Sequence, residues 1–133
     1  MTRDEVRDRF LASIAERLPA EKIVEVHLFP PIKQGGQESG VAVIAAAESR
    51  EPRADNRHTV YTARYRLTLK GPDRGKWEFS INVEADAPLV TVDKVVRGVQ
   101  TRSGDAEDPA KLGGDEFRAM IPQRAADAGE AQA

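Results

Sequence analysis

RHTVYTARYRLTLKGPDRGKWEFSINVEAD, residues 57–86, decides the architecture of this chain. Tyr61, Ala63, Tyr65, Leu67 and Leu69 alternate with Val60, Thr62, Arg64, Arg66 and Thr68. Trp77, Phe79, Ile81 and Val83 alternate in the same way with Glu78, Ser80, Asn82 and Glu84. Side chains of a strand point to opposite faces in turn, so period two over this length predicts two strands, each with an apolar face and a wetter one. The residues between them, GPDRGK, are turn formers, which makes the pair a hairpin and the sheet antiparallel. GPDRGKW superficially resembles a phosphate-binding loop. That loop needs G-x-x-x-x-G-K-[ST] opening a helix; here the glycines are a residue too close, Trp77 replaces the hydroxyl, and a strand follows.

Upstream, EKIVEVHLF (21–29) alternates, with Val24, Val26 and Leu28 on one side and Glu25 and His27 on the other. GVAVIAAAE (40–48) is apolar on both faces, which suits a strand in the middle of a sheet. Its small residues would let a helix, or a second copy of the protein, approach closely. Between these strands lies FPPIKQGG. The prolines remove backbone donors and the glycines free the chain to turn, so the segment reads as a long hairpin loop with Lys33, Gln34 and Gln37 as candidate contacts.

Helices bracket the strands. Val6, Phe10, Leu11, Ile14 and Leu18 form an amphipathic stripe, with Thr2 and Glu5 spaced as a capping box and Pro19 as the stop. After Pro88, the valines at 92, 95, 96 and 99 have helical spacing, and Thr91 or Asp93 stands near the start. The expected fold is therefore α+β: an N-terminal helix, a four-stranded antiparallel meander, and a second helix on the same sheet face. Face matching assigns Phe10, Ile14, Val26, Leu28, Val43, Tyr65, Leu67, Trp77, Phe79 and Ile81 to the core. Ala42, Ile44 and Ala46 then fall on the second face, beside Arg64 and Arg66. Residues 1–102 make up this domain. Residues 103–133 read as an irregular acidic tail, with 3 basic against 7 acidic side chains. Within it, DEFRAMI (115–121) is a short amphipathic turn whose Phe117, Met120 and Ile121 either pack back on the domain or dock in a partner's groove.

Composition narrows the chemistry. The 133 residues suit one domain; 32% are charged, no apolar run is long enough for a membrane span, and the charged start MTRDEVRDRF is unlike a signal peptide. The expected location is the cytoplasm. With no cysteine, thiol catalysis, disulfides and thiolate metal sites are excluded. The two histidines, His27 and His58, lack metal-ligand spacing, and no nucleophile elbow is present. No cofactor is expected and no catalytic residue can be named. From Arg50 to Lys76 there are eight basic residues against three acidic ones. Their alternation sends the tyrosines inward and the guanidinium groups outward, which argues against a base-stacking nucleic-acid face.

Two functional readings follow. The first is a small, soluble, non-catalytic protein that binds a partner, or a second copy of itself, through Ala42, Ile44, Ala46, Arg64 and Arg66, aided by Phe117, Met120 and Ile121. The alternative is a small-molecule binder or enzyme whose pocket holds an anion on or beside the sheet, using Arg64 and Arg66 with Glu25, His27 and Lys33 as candidate contacts.

Overall fold

The hairpin at the centre of the sequence forms one end of the sheet. The computed structural model describes residues 2–47, 57–88, 91–103 and 108–121. In chain order these form helix α1 (Arg3–Arg17), a single 3₁₀ turn (Ala20–Lys22), strands β1 (Ile23–Leu28), β2 (Ile32–Gln34), β3 (Gln37–Ala47), β4 (Arg57–Thr68) and β5 (Trp77–Pro88), helix α2 (Thr91–Ser103), strand β6 (Ala110–Gly113) and helix α3 (Gly114–Met120). The class is α+β, as expected, and the meander β1–β3–β4–β5 is present. The sheet is larger than the four strands read from the pattern: it has six, in the order β5-β4-β3-β1-β6, with β2 also paired to β3.

The extra strands have separate causes. β2 exists because FPPIKQGG is not a long loop. Gly35 and Gly36, at φ +61° and +78°, make a two-residue turn that L side chains with a Cβ rarely adopt. Lys33 then pairs with Glu38 and Ile32 with Ser39, continuing the ladder of β1 against β3. The prolines occupy the break between the β1 and β2 parts of this ladder. Leu28 faces Ala42 and Ile32 faces Ser39, so three residues of one strand oppose two of β3: a bulge. A second bulge between Ile23 and Glu25 throws Val24 outward, so Ile23 takes the inward place expected for Val24. β6 lies in the expected tail and pairs with β1, Leu112 opposite Val26. The body thus extends to Ile121, beyond the boundary expected at 102; residues 122–133 lie outside the described residues.

The largest departure concerns faces. Phe10, Ile14, Val26, Tyr65 and Leu67 bury together as expected, but their partners from β3 are Ala42 and Ile44. Val43 turns the other way and joins Ala45, Val60 and Phe29 beneath Val92, Val96 and Val99 of α2. The second helix therefore lies on the opposite face from α1, not on the same one. The reason is the Ala-rich strand itself: apolar on both faces, it must be covered twice, and one helix can cover only one side. Fully burying a valine or isoleucine contributes about 1.5–3 kcal/mol, so leaving either face of β3 bare would cost several such contributions.

On the first face the aromatic side chains pack as a group. Tyr65 stacks on Trp77 at 4.8 Å between centroids, and Phe10 meets Tyr65 at 4.7 Å. The ring of Tyr65 lies over Gly40, where a Cβ would come within 2.2 Å of it. Thr2 caps the start of α1, its hydroxyl accepting from the Glu5 N–H.

Candidate functional site

Pairing across β2, β3, β4 and β5 aligns the side chains of the second face in transverse rows. Ile32, Ser39, Arg66 and Glu78 form one row; Val41, Arg64 and Ser80 form the next. A third row, His27, Val43, Thr62 and Asn82, follows, and Ala45 with Val60 continues it. α2 covers Val43, Ala45 and Val60, with Val41 packed beside this cluster, and no residue of α2 lines the cavity formed at the first two rows. There the sheet carries a cavity of about 440 Å³, lined by Phe29, Pro30, Ile32, Val41, Arg64 and Arg66, with Ser39, Glu78 and Ser80 among the remaining lining residues. The bulge at Pro30 and Pro31 forms one wall, because it lifts the chain between Leu28 and Ile32 out of register with β3.

The two arginines of this cavity differ electrostatically. Arg66 Nη2 lies 2.6 Å from Glu78 Oε2, and Lys76 Nζ lies 3.5 Å from the other Glu78 oxygen. The hydrogen bond and charge of Arg66 hold the Glu78 carboxyl below the usual carboxylate range, with Lys76 adding to the effect. Glu78 is thus satisfied twice. Arg64 is exposed and forms no ion pair among the described residues. With no carboxylate partner among the described residues, its guanidinium donors remain available to solvent or to a molecule in the cavity.

The other residues read from the sequence as candidates lie elsewhere. Ala42 and Ile44 are fully buried and Ala46 nearly so; the first two pack in the core beneath α1, so the apolar strip expected on an open face is not a surface at all. The parity of β3 is reversed from the expectation, and Val41 takes the place beside Arg64. Phe117 is fully buried in the same core, with Met120 and Ile121 half-buried against it. These three pack back on the domain and leave no free anchor. Arg118 of the same helix donates to the carbonyls of Ala20 and Ile23 at 3.0 and 3.2 Å, tying α3 to the start of β1.

Glu25 and His27 form a separate cluster on β1. His27 Nε2 is 2.5 Å from Glu25 Oε2, both side chains are largely buried, and Lys111 of β6 sits 3.7 Å from the second carboxylate oxygen. They do not line the arginine cavity. Lys33 is exposed on β2 and reaches Glu38 at 4.0 Å, also outside the cavity. Phe29, Pro30 and Ser80 were not singled out from the sequence as site residues. Only Ser80 carried a usable signal, its place opposite Arg64 in the hairpin.

Among the described residues no three His, Asp or Glu side chains converge as metal ligands, and no helix is long and apolar enough to cross a membrane. Comparison with protein-family models, with curated proteins and with solved structures finds no match for this chain.

Proposed function

We propose that this protein binds a small, singly charged organic anion with an apolar body in the Arg64 cavity. One observation carries the reading: a guanidinium with no ion-pair partner among the described residues lines a largely apolar cavity to which α2 contributes no wall. A guanidinium holds a carboxylate through two parallel hydrogen bonds, and phenyl or branched alkyl groups fit against Phe29, Val41, Pro30 and Ile32. Because Glu78 neutralises Arg66, the site offers about one uncompensated positive charge, which selects a monoanion over a polyphosphate. Ala42 and Ile44, read from the sequence as part of a partner-binding strip, lie in the core beneath α1 and so lend no support to a partner surface at that place.

The test is a solution titration with phenylacetate, followed by backbone amide resonances. Shifts concentrated at Phe29, Val41 and Arg64, absent with the neutral phenylacetamide and weakened about tenfold in Arg64→Gln, support the reading. Equal responses to acid and amide, or an unchanged response in Arg64→Gln, would overturn it.

A further inference from the structure

We infer that the outer edge of β5 is a homodimer interface, at which two copies pair antiparallel about a dyad through Ser80. This does not depend on the ligand proposed for the cavity. β5 ends the sheet, and among the described residues no strand pairs with its outer side. The opposite edge is only four residues long, a length that protects an edge by itself. β5 has twelve residues and lacks that protection over much of its length: Trp77 to Val83 contains no proline, no lysine and no bulge. The ladder with β4 is interrupted just afterwards, where Glu84 is the extra residue between Val83 and Ala85. The regular segment is therefore Trp77 to Val83, and its middle residue is Ser80.

Antiparallel pairing joins residues whose backbone groups point outward on both strands, so in a symmetric pair the dyad must fall on a residue rather than between two. Three centres are available in the middle of this segment, and side chains choose among them. With Ile81 at the centre, Glu78 faces the partner's Glu84, a like-charge pair. With Phe79 at the centre, Val83 lies opposite the hairpin loop and the ladder is shortened. With Ser80 at the centre, Trp77 faces the partner's Val83, Phe79 faces the partner's Ile81, Glu78 faces the partner's Asn82, and Lys76 faces the partner's Glu84. Each pair is apolar with apolar, acceptor with amide, or opposite in charge.

The exposures fit the same register. Val83 is 62% exposed, the largest exposure among the large apolar side chains of the described residues, and Trp77, Phe79 and Ile81 are only half-buried by α1. In the pair, all four gain a neighbour on the face of the sheet they already occupy. Glu78 and Ser80 also border the arginine cavity, so the partner's β5 would wall its open side.

The experiment is sedimentation equilibrium of the full chain from about 1 to 100 μM, with a crosslinking arm. The expected species is twice the 14.6 kDa chain mass. Because the chain has no cysteine, Ser80→Cys under mild oxidation should give a single disulfide-linked dimer, while Asn82→Cys, displaced from the dyad, should not. Val83→Glu and Lys76→Glu should each weaken the dimer at least about tenfold, and Lys76→Glu combined with Glu84→Lys should restore it. Circular dichroism of each variant separates dissociation from unfolding. A chain that stays monomeric throughout the concentration range overturns the inference. So does a dimer that Ser80→Cys fails to lock and the charge exchange fails to rescue.

Discussion

The Tyr65 hydroxyl donates a 2.8 Å hydrogen bond to Glu38 Oε2 from a ring that lies over Gly40, directly across from it in the β3–β4 ladder. One side chain thus fills the space left by a missing Cβ and satisfies a carboxylate that is 7% exposed. Gly40→Ala would bring a methyl into the ring and should destabilise the fold by about 1–3 kcal/mol, measured by urea unfolding. Tyr65→Phe keeps the packing but removes the hydrogen bond to a buried Glu38 oxygen, and should cost about 1–3 kcal/mol.

The same contact sets an alkaline limit. Burial first, then the hydrogen bond and charge of Glu38, push the Tyr65 phenol above its ordinary value of 10.0. A group whose ionisation is raised on folding contributes stability that is complete below its unfolded value and lost as pH rises beyond it. Unfolding free energy should therefore fall above pH 10.0 in the native protein and fall less steeply in Tyr65→Phe.

Thr62 is a buried residue whose hydroxyl has no hydrogen-bond partner among the described residues. An unpaired buried hydroxyl carries its desolvation cost without return. Thr62→Val should raise stability by about 1 kcal/mol, read as a later urea midpoint with an unchanged slope.

Opposite placement of the two main helices can be tested energetically. Ile44 shares a core with Ile14, whereas Val96 belongs to the other cluster. Ile44→Ala should cost about 2–5 kcal/mol. Its effect should be non-additive with Ile14→Ala and additive, within about 0.5 kcal/mol, with Val96→Ala. Additivity in both cycles, or coupling only with Val96→Ala, would contradict the two-sided arrangement.

Glu78 should govern anion affinity in the cavity. Since Arg66 holds its carboxyl below the usual range, the ion pair survives mild acid and is lost only as pH falls through that lowered value. Benzenesulfonate, which stays charged there, should bind more tightly at low pH as Arg66 is released. Glu78→Gln should bind it more tightly already at neutral pH and with a flatter pH profile.

The hairpin of β4 and β5, the stripe of α1 and the valine face of α2 were legible because each repeats one period over several turns or many strand residues. The inward and outward residues of β4 followed directly, which is why Arg64 and Arg66 could be placed beside each other on one face. β2 was hidden because two prolines resemble a loop when their ladder partners are unknown. β6, with Leu112 as its one large apolar residue, was too short for a pattern and exists through pairing with β1. The cavity floor was illegible for the same reason: Phe29 and Val41 meet only through the bulge and the β1–β3 register.

By itself, then, the chain determined its class, its main hairpin and the outward turn of its arginines, because these depend on the local alternation of apolar and polar side chains. Tertiary structure alone decided which way β3 faces, where α2 lies, and that residues 110–121 close the core. A strand apolar on both sides contains no parity in its own pattern. Its orientation is set by pairing across the sheet, and each helix buries its stripe where an apolar face remains uncovered.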